Sequence, residues 1–71
     1  MLRLTLERKK RGWSQAELSR KTGIHPSIIS NLEAGKWHPW PKYKRLLGEL
    51  FHVDPPELLF EPVDETDFNV V

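Results

Sequence analysis

The sequence predicts an all-α fold, a compact bundle of five short helices. Helix-start residues and helix-ending glycines recur at short intervals, and strand signals are nearly absent. A chain of 71 residues that is 38% hydrophobic can form one small core, but not a deep catalytic cleft. We expect helices near residues 3–11, 15–21, 26–34, 41–51 and 55–60. Residues 1–60 would form one domain, followed by an acidic tail at 61–71.

The first predicted helix also carries a strand-like pattern. Leu2, Leu4 and Leu6 alternate with polar residues, as in a half-buried strand that could pair with residues 68–71. A helix would instead place Leu2 and Leu6 one turn apart on the same face. We favour the helix, which Gly12 would end by adopting a positive φ.

The second helix has the clearest start. The Ser14 side chain can accept from the backbone N–H of Glu17 while Glu17 reaches back to Ser14, the capping-box arrangement. Trp13 and Leu18 flank this cap and can form a hydrophobic staple. Gly23 would end the helix, because a residue without Cβ readily adopts a positive φ.

The remaining helices are predicted mainly from prolines in their first turns. Pro26 follows His25, the expected N-cap of the third helix, and Gly35 would end that helix. Pro41 starts the fourth helix, and Asp54 is the expected cap of the last one. Apolar residues at helical spacing should face the core from these two helices: Tyr43, Leu46, Leu47, Leu50 and Phe51, then Leu58, Leu59 and Phe60.

Positive and negative charges are segregated along the chain. Residues 1–53 contain all 11 Lys and Arg residues and four acids, a net charge of +7. Residues 54–71 contain the other six acids and no Lys or Arg, a net charge of −6. A basic body with an acidic tail suits a nucleic-acid binder, although a solvated charged surface would give the same pattern.

Other classes of function lack their sequence signals. Cysteine is absent, and His25, His38 and His52 fit no ligand spacing, so we expect no metal and no cofactor. No phosphate-binding glycine loop or nucleophile motif occurs, so no enzyme is expected. No apolar run could span a membrane and no signal-type core follows Met1, so we expect a cytoplasmic protein without a membrane partner.

Residues 15–34 have the pattern of a helix-turn-helix unit. Two helices that meet at a steep angle must bury side chains at fixed positions, and Leu18, Ile24, Ile29 and Leu32 occupy them. Gly23 falls in the turn between the helices. Ser19 lies at the tight crossing point, where we expect its hydroxyl to bond back into its own helix.

The segments RGWSQAELSRKTGI and SIISNLEAGK resemble those of the Cro/C1-type repressor family, the xenobiotic-response-element family of bacterial and phage regulators. The similarity extends from about Leu4 to Phe60. It implies a lambda-repressor-like bundle whose third helix enters the major groove, usually as a symmetric dimer on a pseudo-palindromic operator. Ser19, where the family usually has alanine, and Glu7, where an apolar residue is common, depart from the pattern.

The third helix has a polar face opposite its apolar one. Its short polar side chains are the predicted DNA base contacts: His25, Ser27, Ser30 and Asn31. Asn31 is the strongest candidate, because its amide can bond bidentately to adenine N6 and N7. A solvated helix face is the alternative interpretation. Ile28 lies between the two faces and could touch a thymine methyl or complete the packing.

Phosphate contacts are expected at the start of the second helix and after the third: Gln15, Lys36, His38, Lys42 and Lys44. Some of these charges would serve solubility alone. In relatives of the family an arginine in the first helix pairs with a glutamate near the end of the recognition helix, and Arg8 and Glu33 occupy those places. The resemblance thus implies a structural pair, in which Arg8 could also donate to a phosphate.

Residues 36–41 hold two tryptophans beside two prolines. Trp37 and Trp40 could close the core, or pack with Leu59 and Phe60 against a dimer mate or partner, or lie along the DNA backbone. Core closure is the simplest of these three interpretations.

The sequence therefore predicts a sequence-specific, double-stranded DNA-binding transcriptional regulator, a repressor that acts as a homodimer in a bacterium or phage. The main rival is an antitoxin or adaptor on the same fold that binds a protein partner through its acidic tail or tryptophan loop. A scaffold module without DNA affinity is a weaker alternative.

Overall fold

The computed structural model describes residues 1–64, which form four α-helices and one 3₁₀ helix. The helices are α1 (Arg3–Lys10), α2 (Gln15–Thr22), α3 (Pro26–Glu33), α4 (Pro41–Phe51) and the 3₁₀ helix Pro56–Phe60. The predicted all-α class is confirmed, with the fifth helix a short 3₁₀ segment. No helix in the described residues is long and apolar enough to cross a membrane.

The helix ends follow the local sequence signals closely. At the start of α2 the Ser14 side chain accepts from the backbone N–H of Glu17 at 3.0 Å, and the reciprocal bond completes the predicted capping box. At the start of α3 the Nδ1 atom of His25 accepts from the backbone N–H of Ser27 at 3.1 Å. Gly23 ends α2 with φ 77°, a left-handed conformation that a side chain would strain.

The start of the last helix differs from the prediction. Pro55, not Asp54, is its N-cap, and no side chain caps it. The reason lies in the two consecutive prolines. Pro56 disfavours helical geometry at the residue before it, and Pro55 is extended with ψ 149°. The helix therefore begins one residue late, and the prediction that Asp54 caps it is wrong.

One core joins all five helices. The four positions predicted from the helix-turn-helix pattern are confirmed as buried, each at most 2% exposed: Leu18, Ile24, Ile29 and Leu32. The other helices add Leu4, Leu47, Phe51 and Leu59 to this cluster. Tyr43, Leu46 and Leu50 of α4 are partly buried against it, as their helical spacing predicts.

The 3₁₀ helix packs closely on α4 at Gly48. A Cβ atom added there would lie 2.7 Å from the Cβ of Pro56 and 3.1 Å from the carbonyl oxygen of Val53. Only glycine allows this approach without a shift of backbone or proline ring. The contact closes the side of the core to which Leu59 contributes.

The two readings of the N-terminal leucine pattern each describe part of the structure. Residues from Arg3 onward are helical, as favoured. Leu2, however, forms an isolated antiparallel bridge with Pro62, supported by the bonds Arg3 N–H to Glu61 O (2.9 Å) and Val63 N–H to Met1 O (2.8 Å). The predicted partner segment, residues 68–71, lies outside the described residues, as does most of the tail.

Candidate nucleic-acid interface

The crossing of α2 and α3 is fixed by side-chain bonds in the turn. The Ser19 hydroxyl donates to the carbonyl oxygen of Ile24, beyond the end of its own helix. The expectation that Ser19 bonds back into α2 is wrong, because the turn places the carbonyl oxygen of Ile24 within hydrogen-bond distance of the hydroxyl. Thr22 makes the back-bond instead, donating to Leu18 O at 2.8 Å and accepting from Ile24 N–H at 3.2 Å.

The polar face of α3 is accessible. His25, Ser27 and Ser30 are exposed and Asn31 is partly exposed, while Ile29 and Leu32 hold the opposite face in the core. Three of these polar residues bond to one another. The Ser27 hydroxyl lies 2.8 Å from His25 Nδ1, and the Asn31 amide donates to Ser27 O at 2.9 Å. Three of the four predicted base-contact residues, His25, Ser27 and Asn31, thus form a connected set before any partner binds.

A buried ion pair ties α3 to α1. Nε of Arg8 donates to Glu33 Oε2 at 2.7 Å and Nη2 donates to Oε1 at 2.9 Å, a bidentate geometry. The third nitrogen, Nη1, donates to Trp13 O at 2.8 Å. The side chains are only 11% and 6% exposed. The structure therefore brings together the two residues that the family resemblance paired, and directs Arg8 inward.

Glu33 accepts two further bonds, one from α2 and one from α1. The Gln15 amide donates to Oε1 at 3.2 Å, and the Thr5 hydroxyl donates to the same oxygen at 3.1 Å. Gln15, which was predicted to contact a phosphate, turns its amide inward because the Glu33 carboxylate attracts that donor. Thr5 was missed from the sequence, although its position three residues before Arg8 places both on one face of α1.

Glu7 is buried on α1 among basic side chains. Arg11 Nη1 lies 2.9 Å from its Oε1, and Arg3 Nε lies 3.5 Å from its Oε2. Burial alone would raise the pKa of this carboxyl. The hydrogen bond from Arg11 and the charges of Lys10 and Arg11 outweigh burial and lower the pKa below its ordinary value of 4.5. A charged residue thus occupies this site of α1 by pairing with its own helix.

The lowered pKa predicts a loss of stability in acid. Ionised Glu7 stabilises the fold above about pH 4.5, and this contribution is lost as the pH falls through the lower folded-state pKa. We expect Glu7→Gln to reduce the free energy of unfolding by about 1 kcal/mol at neutral pH, and by much less in acid. Urea titrations across pH measure this difference. Glu49→Gln, in an exposed glutamate of α4, is the control, and a pH-independent effect of Glu7→Gln would contradict the assignment.

The predicted phosphate-binding residues fall into two groups. Lys36, His38 and Lys42 are exposed near the end of α3 and the start of α4. Lys44 lies 3.5 Å from Glu57, which offers its charge an alternative partner. Two other cations lie over rings and were missed from the sequence. Arg11 lies 4.8 Å from the ring centre of Phe51, and Lys21 lies 4.7 Å from that of Trp13.

An apolar groove separates α3 from α4, and we call it the tryptophan groove. It encloses about 420 Å³ and is lined by residues of both helices and the loop between them: Ile28, Leu32, Lys36, Trp37, His38, Trp40 and Tyr43. Trp37 is 52% and Trp40 66% exposed. The interpretation that these tryptophans close the core is therefore wrong. Trp40 instead stacks on Tyr43, with ring centres 5.5 Å apart.

The other two residues predicted for an interface are not in the groove. Leu59 is fully buried in the core and is unavailable to a partner, so that part of the prediction is wrong. Phe60 is partly buried against the core. The helical periodicity of this segment could not distinguish an inward from an outward face over a single 3₁₀ turn.

Comparisons with known proteins agree with this geometry. A helix-turn-helix family model matches residues 4–58, which cover α1 from its second residue, all of α2, α3 and α4, and the start of the 3₁₀ helix. Searches of curated proteins and of solved structures found no significant match. The chain belongs to the Cro/C1-type helix-turn-helix family and is a DNA-binding transcriptional regulator.

Proposed function

We propose that the protein is a sequence-specific repressor that inserts α3 into the major groove of double-stranded DNA. The observation that carries this proposal is the connected polar face of α3. His25, Ser27 and Asn31 bond to one another on the accessible side, while buried Ile29 holds the other side in the core. Short polar side chains in fixed positions on a helix suit direct readout of base edges.

Groups that can bind phosphates lie on both sides of α3, as expected if the DNA backbone passes along each side of this helix. The free backbone N–H groups at the start of α2 can bind one phosphate. Lys36, His38 and Lys42 can bind phosphates beyond the other end of α3, where they are exposed. Repression would follow from occupation of the site, since a bound domain excludes other proteins from the same groove.

The two classes of contact predict different mutant behaviour. Asn31→Ala should cost about 1–3 kcal/mol of binding free energy on the preferred site and relax the preference at one base pair. Lys36→Ala should weaken binding to all sequences alike and reduce the slope of affinity against salt. Selection from a random duplex pool, followed by affinity measurements against salt concentration, tests both.

Each variant is the control for the other, because both residues lie at the same end of α3. An unchanged selected sequence for Asn31→Ala would remove that residue from the set of base contacts. Absence of any enriched sequence for the unaltered protein would contradict sequence-specific binding altogether.

We also propose that the protein acts as a homodimer that contacts itself through the tryptophan groove. Exposed tryptophans are typical anchors of protein interfaces, and the two here project from a loop stiffened by prolines. Trp40→Ala should raise the dimer dissociation constant by about tenfold or more. Sedimentation equilibrium measures it, with Lys42→Ala, in an exposed residue of the first turn of α4, as the control. Equal dissociation constants for Trp40→Ala and the unaltered chain would place the interface elsewhere.

The same groove favours a second candidate function, that of an antitoxin or adaptor that holds a partner protein. The acidic tail offers a further surface for that partner. Deletion of residues 65–71 separates the two roles without touching the pairing of residues 61–63 with the N-terminus. A tail-dependent partner complex would be lost, whereas duplex affinity would be kept or increased.

A further inference from the structure

We infer that His25 fixes the hydrogen-bond polarity of Ser27, so that Ser27 presents only an acceptor to DNA and reads an exocyclic amino group in the major groove. The inference rests on the proposed insertion of α3 into that groove. It assigns Ser27 a base partner of defined chemistry, and it excludes Ser27 from the phosphate contacts.

The first step concerns the His25 ring. The backbone N–H of Ser27 points at Nδ1 at 3.1 Å, and a backbone N–H can only donate. Nδ1 must therefore carry a lone pair. In a neutral imidazole the hydrogen is then on Nε2, so the outward nitrogen of His25 is a donor.

The second step concerns the Ser27 hydroxyl. Its oxygen lies 2.8 Å from the same Nδ1 atom. Two acceptors at that distance would repel, so the hydroxyl hydrogen points at Nδ1 and shares its single lone pair with the backbone N–H of Ser27. The single hydrogen of Ser27 is thus used within the protein. Only the lone pairs of its oxygen remain for a partner.

Asn31 differs from Ser27 because its side chain keeps both a hydrogen-bond donor and an acceptor for a partner. One amide hydrogen is donated to Ser27 O at 2.9 Å. The second amide hydrogen and Oδ1 remain free, which is what a bidentate contact with adenine requires. The same bond holds Asn31 to the backbone of Ser27. The readout of Asn31 is therefore compatible with the fixed hydroxyl one turn away.

The chemistry of the groove limits what Ser27 can meet. Phosphate oxygens, guanine N7 and O6, and thymine O4 are all acceptors and cannot bond to an oxygen that has no hydrogen to give. Donors on base edges in the major groove are the N6 amino group of adenine and the N4 amino group of cytosine. His25 has the opposite preference, since its Nε2–H requires an acceptor such as a phosphate oxygen or guanine.

The first experiment is nitrogen-15 NMR of the free full-length chain at alkaline pH, where imidazole is neutral. The expected result is a His25 ring with Nδ1 unprotonated and Nε2 protonated. A protonated Nδ1 in the neutral ring would overturn the inference, because the Ser27 hydrogen would then be free.

The second experiment removes amino groups from the selected duplex one base at a time, using purine for adenine and 2-pyrimidinone for cytosine. At one position we expect a loss of affinity of about three- to tenfold for the unaltered chain and no further loss for Ser27→Ala. Ser27→Thr, which keeps the hydroxyl, should still lose affinity when that amino group is removed. Ser30→Ala, in the neighbouring exposed serine, should lose affinity in the same way.

Two results would overturn the amino-group contact. One is that removal of each amino group lowers the affinity of Ser27→Ala by the same factor as it lowers the affinity of the unaltered chain. The other is a loss of affinity that occurs only when one phosphate is replaced by a neutral methylphosphonate, and that no longer occurs in Ser27→Ala. Failure to select any duplex would overturn the proposed function and this contact with it, while the NMR result would still decide the polarity of His25 and Ser27.

Discussion

Replacement of Glu33 by alanine is expected to lower the free energy of unfolding by about 3–5 kcal/mol. The substitution leaves the Arg8 guanidinium, 11% exposed in the intact protein, without its bidentate partner. It also removes the acceptor for Thr5 and Gln15. A domain of this size has a total stability of about 4–10 kcal/mol, so the loss would be a large fraction of the whole. Urea denaturation followed by circular dichroism measures the change.

The control for Glu33→Ala is Glu57→Ala, which breaks the exposed pair with Lys44 and should cost about 0–1 kcal/mol. The double variant Arg8→Met with Glu33→Leu removes both charges together. It should recover much of the stability that Glu33→Ala loses, because no unpaired charge is left buried. A cost below about 1 kcal/mol for Glu33→Ala would contradict a buried role for this pair.

Replacement of Ile29 by alanine is expected to cost about 2–5 kcal/mol. Ile29 is fully buried at the centre of the face that seats α3. Truncation leaves a cavity between α3 and the rest of the core. Thermal and urea unfolding measure the loss of stability.

The matched control for Ile29→Ala is Ser30→Ala, the next residue on the exposed side of the same helix. It should change stability by about 0.5 kcal/mol or less. Comparable losses for the two variants would show that α3 is stabilised mainly by its own backbone and not by burial of Ile29.

Features that depend on neighbouring residues were predictable from the sequence. The Ser14–Glu17 capping box, the His25 cap and the left-handed Gly23 each depend on a few adjacent residues, and all three are present. The apolar face of α3 was equally predictable from the sequence, since buried positions repeat with the helical period and Ile29 and Leu32 follow it.

Features that depend on the approach of distant segments were not predictable in the same way. Gln15 turns inward because Glu33, 18 residues away, offers a carboxylate. The exposure of Trp40 depends on where the start of α4 lies relative to α3, and a loop sequence has no periodicity from which that placement could be predicted. Asp54 is the exception, because the proline pair that displaces the cap was already visible in the sequence.

The positions of the three tryptophans give the protein a built-in optical readout. Trp13 is partly buried, with its ring centre 5.7 Å from that of Phe51, so its emission depends on the integrity of the core. Trp37 and Trp40 are in contact with solvent, and their emission depends on whether the groove is covered. A chain that retains only Trp13 would report unfolding, and a chain that lacks only Trp13 would report association. Fluorescence without an attached dye can therefore distinguish loss of the fold from dissociation of the proposed homodimer.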